Sequence, residues 1–273
     1  MSHSEEIKQG NRFEFGKNWE NFLKVLDEDR VNEAKKSLQK MLNVENLYDC
    51  NFVDVGSGSG LFSLAAYLLG ANVFSFDFDP NSVSCTRELR NRYCTDVKKW
   101  EIDEGSVLNI DYINKIGKYN IVYSWGVLHH TGQMNLGLDN VSQLVKPKGK
   151  IFIAIYNDQG KISKLWRNVK KIYCSSYIGS FFMKLIFYPY FALRIFISDL
   201  MNFRNPFTSY SKYKQTRGMS LIHDWNDWLG GYPFEVAKPE LICEKFINQG
   251  FYLEKLNTCG GSLGCNEYVF RSN

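Results

Sequence analysis

The sequence predicts an α/β fold: a mostly parallel sheet with helices on both faces, interrupted by one long, mainly helical insertion. Three observations lead there. Short apolar runs alternate with helix-length segments from residue 50 to residue 156, and such alternation builds parallel sheets. The alternation stops over residues 157–237, where no clean strand is visible. It resumes at Lys238 and closes with two strand-like runs around Cys259-Gly260-Gly261-Ser262-Leu263-Gly264. A connection that tight makes the two runs antiparallel neighbours.

Each element has a local reason. Residues 12–45 read as helical and precede the sheet. Phe52–Val55 is a short apolar run ending in glycines, hence a first strand; Leu61–Leu69 follows as a helix closed by Gly70. Asn72–Phe78 is a second strand, stopped by Asp79-Pro80. That proline suits the first turn of a helix running to about Arg92. Trp100–Asp103 gives a third strand, and Tyr119–Trp125 a fourth whose apolar run suits burial on both faces. Residues 135–145 form a helix that ends before Pro147 and Gly149, and Lys150–Tyr156 is the fifth strand. A helix starts at Lys238-Pro239-Glu240 and runs to Gln249-Gly250, followed by the strands Phe251–Leu256 and Glu267–Arg271.

The organisation expected is an N-terminal helical segment or lid over 1–45, a core made of 46–156 and 238–273, and an inserted cap over 157–237. Hydrophobic residues at 44% and charged residues at 23% are ordinary for a globular protein. A chain of 273 residues buries a full core without disulfide or metal staples. The seven cysteines are odd in number, scattered, and contain no C-x-x-C, which points to a reduced, cytoplasmic protein without a zinc site. The start, Met1-Ser2-His3-Ser4-Glu5-Glu6, is polar and acidic and is no signal peptide. Residues 178–203 are the most apolar stretch, but Lys184, Pro189, Arg194 and Asp199 interrupt it. It reads as cap helices rather than a membrane span, with peripheral membrane contact as the alternative.

Val53-Asp54-Val55-Gly56-Ser57-Gly58-Ser59-Gly60 follows the first strand. Glycines there let a backbone approach a cofactor closely, and on that ground alone many nucleotide-type cofactors would fit. Asp54 narrows the choice, because a carboxylate at the strand end suits a cationic ligand such as S-adenosylmethionine better than a pyrophosphate. Asp77, at the end of the second strand, can accept hydrogen bonds from two ribose hydroxyls. Phe78, next to it, can lie against adenine. The terminal antiparallel pair is unlike a dinucleotide dehydrogenase half.

These motifs resemble those of class I S-adenosylmethionine-dependent methyltransferases, and more narrowly the small-molecule O-methyltransferases of the ubiquinone-biosynthesis type. The resemblance rests on Phe52 to Gly60, Phe76-Asp77-Phe78-Asp79-Pro80, Gly105-Ser106-Val107-Leu108 and Tyr123-Ser124-Trp125-Gly126-Val127-Leu128-His129-His130. It implies a Rossmann-like, seven-stranded sheet whose last strand is antiparallel. The cofactor set it implies is Asp54, Gly56, Ser57, Gly58, Gly60, Asp77, Phe78, Ser106, Val107 and Trp125. The family pattern often has an acid where this chain has Ser106, so backbone contact is expected there. Phe13-Glu14-Phe15-Gly16-Lys17-Asn18-Trp19 is either a helix packing its aromatics on the domain or a lid that stacks Trp19 or Phe15 on the cofactor.

Methyl transfer to an alcohol needs a base, whereas an amine need only arrive neutral. His129 and His130 stand just past the fourth strand, on the side where open α/β sheets bind ligands. His130 is the expected general base, being further out along the loop, with His129 as the alternative. Tyr156, Asn157 and Asp158 leave the fifth strand on the same side, and His223, Asp224 and Tyr232 lie late in the insertion; all are substrate candidates. No three ligands show metal spacing, so no metal is expected.

Residues 157–220 carry eleven Lys and Arg against Asp158 and Asp199, a local balance of +9 in a chain whose net charge is only +4. The whole-chain charge is too small to imply a nucleic-acid partner, but the insertion suits an anionic one. With aromatics interleaved, it points to an anionic small molecule: a phosphorylated or nucleotide-linked sugar, or a capsule or lipopolysaccharide precursor. N-methylation of a phosphorylated metabolite and tRNA methylation are the alternatives. A non-catalytic cofactor-binding protein is the reading from another class, and the glycine loop, Asp77 and the two histidines speak against it.

Overall fold

The structure, a computed structural model, describes residues 3–203, 205 and 221–273. Seven strands form one sheet: β1 (Asn51–Val55), β2 (Asn72–Asp77), β3 (Trp100–Glu104), β4 (Tyr119–Trp125), β5 (Val145–Tyr156), β6 (Phe251–Asn257) and β7 (Cys265–Ser272). Their order is β3-β2-β1-β4-β5-β7-β6. β1 to β5 pair in parallel, and β7 runs antiparallel between β5 and β6. The expected Rossmann-like α/β sheet with its antiparallel last strand is therefore present. Strand order reverses between β1 and β4, which places a ligand crevice at the carboxyl ends of those two strands.

Alternation along each strand feeds two cores. Phe52, Ile121, Tyr123, Phe152 and Val269 face one side, against Leu38, Leu42, Leu64 and Leu89. Val53, Val122, Ile151, Ile153 and Phe270 face the other, against Leu138, Val141, Ile242 and Phe246. A sheet buried on both faces needs near-continuous apolar strands, which is why β1, β4 and β5 could be read so directly.

The first core is covered by α3 (Glu28–Leu42), α4 (Leu61–Leu68) and α5 (Pro80–Tyr93). Two shorter helices, α1 (His3–Lys8) and α2 (Gly16–Leu23), precede them. Residues 12–45, expected to be helical, hold two helices, α2 and α3, with Asp27 capping α3 by accepting the Arg30 N–H at 2.9 Å. The second core is covered by α7 (Met134–Gln143) and α11 (Pro239–Asn248). Between β3 and β4 lies α6 (Ile110–Ile116), absent from the sequence reading. At seven residues it is too short to show a period, and only Asn109, which accepts the Asp111 and Tyr112 N–H groups, marks its start. β5 begins five residues before the expected Lys150: Val145 already pairs with Tyr119, and an irregularity absorbs Pro147 and Gly149 before Lys150 pairs with Ile121.

The insertion holds α8 (Lys161–Ser175), α9 (Tyr177–Met201) and α10 (Leu221–Gly230). They share a third core of Trp166, Val169, Tyr173, Phe191, Leu229 and Phe234. The four interruptions of the apolar stretch, Lys184, Pro189, Arg194 and Asp199, fall inside a single helix, α9, which runs through the proline.

Candidate functional site

The loop after β1 is built from left-handed glycines. Gly56 has φ 79° and Gly58 φ 55°; a Cβ on Gly56 would stand 2.4 Å from Val127, and one on Gly58 3.1 Å from the Trp19 indole. Only glycine fits where conformation and space are both this restricted. The loop's amides are already committed. Gly56 and Ser57 N–H both donate to Phe76 O, Gly60 N–H donates to Ser57 O at 2.8 Å, and Gly58 N–H donates to Asp77 Oδ2 at 2.9 Å. The Ser57 and Thr86 hydroxyls lie 2.9 Å apart and lock the loop onto α5.

Two carboxylates flank this loop. Asp54 is buried and accepts from Ser63 Oγ at 2.5 Å. Ser63 Oγ lies 2.8 Å from Ser75 Oγ, which in turn accepts the Trp100 Nε1–H at 2.8 Å. With the indole able only to donate and the carboxylate only to accept, the hydroxyl protons all run toward Asp54 and fix its orientation. Burial pushes the Asp54 carboxyl up to about 7. Asp77 is also raised by burial, to about 6, although it accepts the Gly58 and Asp79 N–H groups. Each of its oxygens keeps a second lone pair for a further donor.

The N-terminal segment closes over this end of the sheet. Gly16 N–H donates to Asp79 Oδ2 at 2.8 Å, Phe13 N–H to Tyr232 O at 2.9 Å, and Arg12 Nη1 to His130 O at 3.1 Å. Trp19 rests on Gly58, and Phe15 lies 5.1 Å from the His130 ring. Phe78 meets the Arg12 guanidinium at 5.2 Å and the edge of His3 at 5.5 Å. Asn18 Nδ2 reaches Asp227 Oδ1 on α10. One segment therefore spans the glycine loop, the end of β2 and the insertion.

His129 and His130 form a single turn after β4, and both are buried. His130 Nδ1 stands 2.6 Å from Pro233 O. A carbonyl only accepts, so this nitrogen carries the proton and Nε2 keeps a free lone pair. Burial first, then the charges of Lys170 and Arg12, lower its pKa to about 3 in spite of the Pro233 contact. His129 Nδ1 lies 3.4 Å from the Tyr156 nitrogen, the ring also meets the Ala154 carbonyl, and Nε2 is buried with no hydrogen-bond partner. Burial and the neighbouring His130 hold His129 well below the usual imidazole range. Tyr156 lies 4.1 Å from the His129 ring and 5.6 Å from that of His130. The segment after α10 supports the pair from below, with Glu235 N–H donating to His129 O at 2.9 Å.

Lys170 is the residue that sequence reasoning missed. It is buried on α8, donates to Trp228 O, and sits 4.5 Å from the Trp228 ring and 5.1 Å from that of Phe234. Burial lowers its pKa to about 7. A Cβ on Gly231 would stand 3.2 Å from His130 Cε1 and 3.4 Å from Lys170 Nζ, so the glycine lets both groups converge. The signal was present: Lys170 falls on the Trp166–Tyr173 stripe that α8 buries.

The remaining candidates are more dispersed. Ser106 Oγ accepts the Leu108 N–H at 3.2 Å, and Val107 is buried with its carbonyl accepting from Asn140 at 2.7 Å. Trp125 is exposed at the end of β4, and its Nε1 donates at 2.8 Å to Glu267 on β7, two strands over on the side away from β1. Asn157 accepts from Asn266 Nδ2 at 3.1 Å, and Asp158 caps the Gly160 N–H at 2.7 Å. Tyr232 holds Phe13 through its carbonyl. His223 and Asp224 lie on α10, but their side chains fall outside the described residues. Among the described residues no three His, Cys, Asp or Glu are grouped as a metal site would require.

Comparison with known proteins bears on this arrangement. Residues 47–201, more than half of the chain, match the model of a family described as a methyltransferase domain. A segment of 112 residues is 30% identical to the ubiquinone biosynthesis O-methyltransferase of Colwellia psychrerythraea; it covers 40% of this chain and 43% of that protein. The match thus spans less than half of that relative's length. The magnesium protoporphyrin IX methyltransferase of Synechocystis PCC 6803, solved with bound SAH, superposes with a TM-score of 0.54 at 11% identity, over 89% of this chain and 83% of that one. An O-methyltransferase family protein from Burkholderia thailandensis gives a TM-score of 0.54 at 10% identity, over 89% and 57%. Identities this low speak for the fold alone.

Proposed function

The chain belongs to the methyltransferase-domain family, and on that premise we propose that it transfers the methyl of S-adenosylmethionine to a hydroxyl of an anionic small molecule. The observation that carries the cofactor reading is the state of the glycine loop. Gly56, Ser57, Gly58 and Gly60 already spend their N–H groups inside the protein. A pyrophosphate would need such groups free. What the loop offers instead is a cleft flanked by Asp54 and Asp77, whose buried carboxyls gain from a cation.

In this reading Asp54 takes the ammonium end of the cofactor and Asp77 the ribose hydroxyls. Phe78, Ser106 and Val107 border the adenine, while Trp19 and Trp125 border the methionine end. Gly56, Ser57, Gly58 and Gly60 shape the floor. When bound, the cofactor supplies an electrophilic methyl on a sulfonium. His130 Nε2 takes the acceptor hydroxyl's proton, and the Pro233 carbonyl then faces a charged ring and stabilises it. Its lowered pKa keeps the ring unprotonated throughout the neutral range, and an anion close by raises its basicity. His129 Nε2, buried and unpartnered, is a second polar ring atom next to that base.

The substrate half rests on charge. Lys170 is buried beside His130, while Arg12, held on the His130 carbonyl, already pairs with Glu6, so Lys170 is the cation of this end that an acceptor's anion would meet. Lys161, Lys164, Arg167 and Lys171 continue the positive field along exposed α8. A phosphorylated or nucleotide-linked sugar, or a glycan precursor, matches that field and the aromatic walls of Tyr156, Trp228 and Phe234. Tyr156, Asn157, Asp158 and Tyr232 border the acceptor end, with residues 157–237 as the cap. Seven free thiols suit a reducing compartment, and we place the enzyme in the cytoplasm. The test is a methyl-transfer screen over sugar phosphates, nucleotide sugars, phosphorylated amines and tRNA. Turnover on sugar phosphates or nucleotide sugars that is lost in His130→Ala supports the reading. Turnover confined to tRNA or to an amine contradicts it.

A further inference from the structure

We propose that α9 docks the protein flat onto an anionic lipid bilayer. Positions 182, 185, 186, 193, 197 and 200 recur at helical spacing and fall on one face of α9. They are Phe182, Leu185, Ile186, Leu193, Ile197 and Leu200, and each is about half exposed, from 47% to 60%. No charged residue lies within this face. An apolar strip along a 25-residue helix far exceeds the scattered apolar residues of an ordinary surface.

The opposite face of α9 is committed to protein. Phe191 is buried with Trp166 and Trp225, Tyr188 donates to Asn226 Oδ1 at 2.8 Å, and Asp199 is buried. By length and composition α9 could cross a membrane. A helix with one face packed on its own domain instead presents the other, and that is the geometry of an interfacial helix.

Charge selects the occupant. Among described residues 159–203, Lys161, Lys164, Arg167, Lys171 and Arg194 are exposed, whereas the one acid, Asp199, is buried. α8, which carries four of these cations, folds back on α9 through Trp166 and Phe187. A second copy of the chain would bring five exposed cations against five. An anionic headgroup layer neutralises them while the acyl boundary takes the apolar strip.

The test is co-sedimentation of the full chain with phosphatidylcholine vesicles, with and without phosphatidylglycerol. The wild type is expected to bind the phosphatidylglycerol vesicles and to lose binding as salt rises. Ile186→Glu with Leu193→Glu, both at exposed positions, should weaken partitioning by about a hundredfold, about tenfold for each apolar side chain kept out of the bilayer. Lys164→Glu with Lys171→Glu should remove the preference for phosphatidylglycerol. Absence of wild-type binding, or equal binding by the α9 double variant, overturns the proposal. So does a concentration-dependent dimer, seen by analytical ultracentrifugation and abolished by the α9 variant without any vesicle binding, because the face then belongs to a second copy.

Discussion

His130 has one ring nitrogen fixed to Pro233 and the other left with a lone pair. If His130 is the base, His130→Ala lowers kcat by about 10²–10⁴-fold and leaves cofactor affinity unchanged; single-turnover methyl transfer with saturating cofactor checks this. If Asp54 and Asp77 hold the cofactor, its affinity depends on pH. With free-protein pKa values of about 7 and about 6, both are partly protonated in mild acid, and a bound cation lowers both. Affinity is therefore full above the higher value and falls as pH drops through the two, with proton release on binding. Titrations between pH 8 and pH 5.5, in buffers of different ionisation enthalpy, measure it; a flat affinity removes the carboxylates from the site. Lys170 shifts the other way. Its folded pKa, about 7 against an ordinary 10.5, means that the unfolded chain binds the extra proton between those values. Stability gains from this group as pH rises through that window, and Lys170→Met should flatten the gain in denaturant melts.

The N-terminal segment is tied at five points, by Arg12, Phe13, Gly16, Asn18 and Trp19. If it is a lid, Trp19→Ala speeds cofactor release and weakens affinity by about tenfold, the worth of one buried aromatic contact; stopped-flow dissociation against excess unlabelled cofactor reads this. An unchanged off-rate would leave Trp19 as packing only. The same segment shows where sequence reading stops. The glycine loop, Asp77 and the histidine turn are local signals and could be read from spacing. The Trp100–Ser75–Ser63–Asp54 chain joins four elements, and Lys170 reaches the histidines only once α8, α10 and residues 231–237 have packed. Such convergence has no period in the sequence. α6 escaped for the opposite reason, being too short to have one.

At the scale of the molecule, the sheet order places two loops side by side. The glycine loop ends β1, the histidine turn ends β4, and these strands flank the reversal point. This arrangement was legible because strands buried on both faces and a terminal hairpin leave strong patterns. The basic insertion was legible as charge, whereas its apolar strip on α9 emerged only once one helical face was known to be packed. The central claim is that the acidic, amide-spent crevice takes a cationic sulfonium cofactor and not a dinucleotide. Isothermal titration of the full chain at pH 8 tests it most directly, with S-adenosylmethionine and NAD as the two ligands and Asp77→Ala as the control. The account predicts one S-adenosylmethionine per chain, weakened in Asp77→Ala, and no heat from NAD. Binding of NAD without S-adenosylmethionine, or binding of neither, would contradict it.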